Sequence, residues 1–94
     1  MTSLTPITIA RMADPIYGPE LTAFCASLTR ARYASLVIDR DILLVSRVLP
    51  RLRGNHHTKH EVRSAFRLPP KAQPRYRYWA SPVSPYCRFL AEQG

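Results

Sequence analysis

Apolar positions recur through the middle of the chain in alternating steps of three and four: Leu21, Phe24, Leu28, Ala31, Ser35, Ile38, Ile42, Val45, Leu49 and Leu52. That spacing marks one face of an α-helix. Gly18-Pro19-Glu20 reads as its start, since Pro19 suits the first helical position and Glu20 lies at the positive end of the helix dipole. Ala31 and Ser35 are weak members, so the stripe is either one long helix or two joined between Tyr33 and Asp39. Leu36-Val37-Ile38 alone would read as a strand, but the flanking period favours helix. Pro50 ends or kinks the helix, and Arg51 to Thr58, with Gly54-Asn55, forms the connection.

A second helix is predicted from Thr58. Thr58 and Glu61 have capping-box spacing, and Val62, Ala65 and Phe66 then share one face until Leu68-Pro69-Pro70 stops the run. The ends read differently. Pro6, Pro15 and Gly18 interrupt residues 1–18, which are expected to be an extended arm. Pro69, Pro70, Pro74, Pro82 and Pro85 are expected to hold an extended path to about Tyr86, with a short turn from Arg88 to Gln93 closing the chain. The predicted fold is therefore mainly α: an extended arm over 1–18, a small helical hairpin core over 19–68, and a proline-rich basic and aromatic tail over 69–94.

Length limits the chain of 94 residues to one small core. Its 46% hydrophobic content suffices for a packed globule, while nine prolines against three glycines argue against regular structure throughout. The longest strongly apolar run, Ile42 to Val45, is far short of the ~20 residues of a membrane span. Residues 1–13 are rich in Thr and Ser and free of acid, yet Arg11 is their only base, so they lack the repeated arginines of a transit sequence. Cys25 and Cys87 show no metal or redox spacing and are expected to be reduced thiols.

Charge separates the halves. Up to Asp41, four bases meet four acids, whereas from Ile42 onward ten bases meet only Glu61 and Glu92, which places the net +8 in the second half. A polyanionic partner should meet that half. Lys71, Arg75, Arg77 and Arg88 are interleaved there with Tyr76, Tyr78, Trp79, Tyr86 and Phe89, combining cations that pair with phosphate and flat faces that stack on bases. Arg51, Arg53, Lys71, Arg75, Tyr76, Arg77, Tyr78, Trp79 and Arg88 are the candidate nucleic-acid contacts. The same aromatics could instead staple the tail to the helices or fill a protein groove.

Catalytic patterns are not found. His56, His57 and His60 have no acid or thiol at zinc spacing, with Glu61 assigned to capping, so neither a metal nor a cofactor is expected. Asp39 and Asp41 flank Arg40 on a helix, where alternate residues point to different sides, which disfavours an acid–base pair. Glycine-rich phosphate loops and a Ser-His-Asp order are also missing. An enzyme is not expected.

The segment Ile38-Asp39-Arg40-Asp41-Ile42-Leu43, followed by Val62-Arg63-Ser64-Ala65-Phe66-Arg67, resembles the LYR-motif family of small mitochondrial helical proteins. Arg40, Leu43, Arg63 and Phe66 stand where that pattern has its arginine, leucine, arginine and phenylalanine. Ile38 replaces the leucine and Asp39 the tyrosine of the signature, over roughly residues 32–67. The resemblance implies an accessory or assembly subunit of a respiratory or ATP synthase complex, often one that docks acyl carrier protein, with Arg40, Arg47, Arg63, Phe66 and Arg67 as its contacts. The charge and the tail instead suggest a non-catalytic basic subunit of a large assembly, a mitochondrial ribosomal protein touching rRNA and neighbouring proteins. Both readings imply a matrix or matrix-facing location in the mitochondrion.

Overall fold

The computed structural model describes residues 4–52 and 57–93. It is mainly helical, with α1 (Pro6–Met12), α2 (Gly18–Arg30), α3 (Ser35–Val48), a 3-10 turn (Leu49–Arg51), α4 (Lys59–Phe66), α5 (Arg75–Ala80) and α6 (Val83–Gln93). Two compact units divide the chain, Met1–Arg47 and Val48–Gly94. The boundary falls within what the sequence suggests is one core over 19–68. Among the described residues no helix is long and apolar enough to cross a membrane.

The apolar stripe becomes two helices. After α2, Arg32 takes a left-handed backbone (φ 63°), and the Arg32 and Tyr33 amides donate to the Thr29 and Leu28 carbonyls at 3.0 and 3.2 Å. This is a Schellman stop, made here without the usual glycine. Leu21, Phe24 and Leu28 of α2 are buried, as are Ile38, Ile42, Leu44 and Val45 of α3. Pro50 then ends α3 in the 3-10 turn, because its ring nitrogen has no hydrogen to continue the ladder.

The extended arm expected over 1–18 is not what the described residues 4–18 form: Pro6–Met12 is helical. Pro6 occupies the first turn, where a missing N–H costs nothing, so its presence starts a helix and does not prevent one. The open amide of the capping residue, Thr5, is taken up from α3, donating to Asp39 Oδ1 at 2.7 Å. A turn then carries the chain into α2, the Ile16 and Tyr17 amides donating to Asp14 Oδ1 at 2.8 and 2.9 Å. α1 packs on α2, and Gly18 lies where they meet. A Cβ at that position would collide with the Met12 carbonyl oxygen.

The tail is likewise not extended. Among its described residues only 69–74 and 81–82 lack helix; Arg75–Ala80 and Val83–Gln93 are helical. Pro74 caps α5, Pro82 directly precedes α6 and Pro85 falls in its first turn, all positions that need no amide donor. In the second unit α4 packs on α6. Val62, Ala65 and Phe66 of α4 and Val83, Tyr86 and Phe89 of α6 are buried, and the Tyr86 and Phe89 rings stack at 6.0 Å, one helical turn apart. The capping box forms as expected: Glu61 N donates to Thr58 Oγ1 at 3.1 Å and Thr58 N to Glu61 Oε1 at 3.0 Å.

Candidate nucleic-acid interface

Three arginines and two aromatic rings line a cavity of about 280 Å³ in the second unit: Arg51, Arg67 and Arg75 with Phe66, Trp79 and Pro69. Each has a local reason for its place. Arg51 closes the 3-10 turn that Pro50 imposes, and its Nη1 donates to the Ala65 carbonyl at 2.9 Å. That carbonyl belongs to the last turn of α4, where the ladder leaves acceptors open and a cation is favoured. Arg67 ends α4 in a left-handed conformation (φ 51°), its amide donating to the Ser64 carbonyl at 3.2 Å. Arg75 begins α5, with Nε donating to Gln73 Oε1 at 2.9 Å.

Helix formation in the tail decides which side chains meet. On an extended strand Arg75 and Arg77 would share a side; on α5 they are two positions apart and diverge, while Arg75 and Trp79 are one turn apart and converge. Trp79 is half-buried, and Tyr78 packs edge-on against it with ring centroids 5.8 Å apart. Phe66 is only 3% exposed. Arg67, Phe66 and Pro69 are absent from the nucleic-acid set read off the sequence. The signal available there was the Phe66-to-Pro69 helix stop, which turns the chain back at that point.

The other candidates are placed apart from this cavity. Lys71, Arg77 and Arg88 are exposed and do not line it. Tyr76 accepts a hydrogen bond from Arg63 Nη2 at 3.1 Å, tying α4 to α5, so both serve the fold. Arg53 and His56 lie outside the described residues. Arg47 is exposed near the end of α3. Arg40 Nε donates to the buried Asp41 at 3.3 Å, while Asp39 caps α1, so the two carboxylates have separate structural partners.

A second cavity, about 470 Å³, shares Arg51 and Arg67 with the first. His57, His60 and Glu61 are on its wall. The Glu61 carboxyl is held below the usual carboxylate range, first by the Thr58 amide and then by the Thr58 hydroxyl. Among the described residues no three His, Cys, Asp or Glu side chains form a group able to hold a metal. Cys25 and Cys87 are free thiols, and burial pushes the Cys87 thiol up despite Lys59 and Arg63 nearby.

Electrostatically the cavities are one-sided. Residues 48–94 hold nine bases and two acids, a net +7, whereas residues 1–47 hold five and four. Among the described residues none of Arg51, Arg67 and Arg75 is paired with a carboxylate. Unpaired guanidiniums beside an aromatic face can bind phosphate and stack a flat ring at once. No protein-family model, curated protein or solved structure matches this chain.

Proposed function

We propose that the chain is a non-catalytic, basic structural subunit of a ribonucleoprotein, a mitochondrial ribosomal protein that meets rRNA through residues 48–94. The observation that carries this reading is the concentration of a net +7 in that unit, with Arg51, Arg67 and Arg75, which have no carboxylate partner among the described residues, around Trp79. Nucleic-acid binding by such surfaces is driven by release of counterions from the phosphate backbone, which rewards unpaired cations and needs no catalytic group. The test is purification of the tagged full chain from mitochondria. rRNA and ribosomal proteins should co-migrate with it, and ribonuclease should release it. Recovery of respiratory-complex subunits without RNA would contradict the proposal.

A second reading, the LYR-type accessory subunit, is supported by the burial of Phe66, as that family pattern requires of its phenylalanine. Against it, Arg40 is held by the buried Asp41, which reduces its availability to the acidic surface of an acyl carrier protein. The same purification would recover acyl carrier protein if this reading held.

A further inference from the structure

We infer that the Arg51/Arg67/Arg75 cavity receives one unpaired nucleotide of an RNA strand, its base against Trp79 and its phosphates against the arginines. The inference rests on the RNA-binding reading above and names the form of RNA that this site selects. A base in a duplex presents only its edges, so its flat face reaches a protein ring only when the nucleotide is unstacked. At about 280 Å³ the cavity is smaller than the ~300–1,000 Å³ pockets that enclose a drug-sized molecule, so it would hold a nucleotide against one wall without enclosing it.

The arginines are positioned beyond what the helices need. Arg75 stands at the first residue of α5, the positive end of the dipole, where a cation is disfavoured and no acidic residue of that turn offsets it. Arg67 holds a left-handed backbone that glycine or asparagine would adopt with less strain. Each therefore works against its own local structure at the point where both face the same cavity. Arg51 is fixed by its bond to the Ala65 carbonyl, and a guanidinium has five donors, so this bond leaves others for an anion. Tyr78 holds the Trp79 ring edge-on. Because Arg51 and Arg67 also line the second cavity, the phosphate between two successive nucleotides would lie on this pair, with the neighbouring nucleoside directed toward His57 and His60.

Trp79 is the single tryptophan of the chain, so its fluorescence reports this site alone. The full chain is titrated with a single-stranded RNA of about a dozen nucleotides, with the same sequence as a duplex, and with adenosine monophosphate. The single strand should quench Trp79 and bind more tightly than the duplex. Trp79→Leu should weaken single-strand binding by roughly 5- to 100-fold and duplex binding by less. Arg67→Gly, which suits the native backbone, should weaken it as well while keeping the helical circular dichroism. Equal affinity for both forms with unmoved fluorescence would overturn the pocket assignment and leave the RNA-binding reading standing. Failure to bind either form would remove both. Saturation by the free mononucleotide at lower concentration than the RNA would reassign the cavity to a soluble nucleotide.

Discussion

Residues 1–47 share five bases with four acids, and residues 48–94 share nine with two, yet each unit buries a similar set of apolar side chains. In the first, Phe24 is the buried ring beside the buried leucines of its own helix, with Ile38 and Ile42 of α3 also buried; in the second, Phe66, Tyr86 and Phe89 are the buried rings. The exposed surfaces differ. Ile7, Ile9, Ile16 and Leu36, all large, aliphatic and exposed, belong to the first unit, while the second exposes Tyr78 among its arginines. Core formation thus depends on apolar period and is indifferent to net charge, and the charge difference is free to serve a partner. A cluster of like charges opposes compaction of the second unit, so its retention there calls for a reason outside folding.

The comparison breaks first at the cores. Phe24→Ala and Phe66→Ala should each lower unfolding free energy by about 3–5 kcal/mol, measured by urea denaturation. A much smaller loss at either site would mean that unit is loosely packed. Next is Gly18→Ala, where the added methyl meets the Met12 carbonyl and not a yielding side chain. It should cost about 1–3 kcal/mol despite alanine's better helix propensity, and a gain in melting temperature would show that α1 does not approach α2 so closely.

Two carboxylates, one in each unit, respond to acid in the same direction. The Asp14 carboxyl is held low by the Tyr17 and then the Ile16 amide, and Glu61 by the Thr58 amide and hydroxyl. A folded-state pKa below the unfolded one gives stability that is complete above the ordinary carboxylate range and fades as pH falls through the lowered value. The melting temperature should therefore drop as pH is taken from about 5 to about 2, and less steeply in Asp14→Asn and Glu61→Gln. An unchanged slope in both variants would remove these turns from the acid response.

The smallest effects come from a matched pair. Among the described residues Arg32 and Arg67 are the non-glycine residues with positive φ, one in each unit, and both are exposed. Glycine at either site relieves left-handed strain but adds freedom to the unfolded chain, leaving a net gain of about 0.5–1 kcal/mol. Thermal melts should show similar gains for Arg32→Gly and Arg67→Gly, while only the latter weakens RNA binding. Equal RNA affinity in the two variants would detach Arg67 from the interface.

Helices α2, α3 and α4 were legible in the sequence because their signals are local: a three-and-four apolar period, Pro19 at a helix start, and Thr58 with Glu61 three residues later. The two ends differ from their sequence pattern for one physical reason. Proline in a local window signals extension, but Pro6, Pro74, Pro82 and Pro85 all sit at or within helix starts, where the chain has amides to spare. For α1 the supporting partner, Asp39, lies 34 positions away, beyond any local pattern. The site followed the same division. Arg51, Arg75 and Trp79 were found from composition, but reading the tail as extended grouped Arg75 with Arg77, and only its helical period pairs Arg75 with Trp79.

The central claim, that residues 48–94 carry the RNA contact, is tested most directly by the salt dependence of binding in two charge-matched variants. Arg11, Arg30 and Arg32 are exposed in the first unit, and Arg67, Arg75 and Arg77 in the second. Each trio is changed to glutamine in the full chain, and the slope of log affinity against log salt is measured on one single-stranded RNA. Each lost phosphate contact lowers the slope by roughly 0.7–0.9, so the second trio should reduce it by about 2 to 3 and the first should leave it unchanged. Equal slopes for the two variants, or the larger loss in the first, would contradict the account.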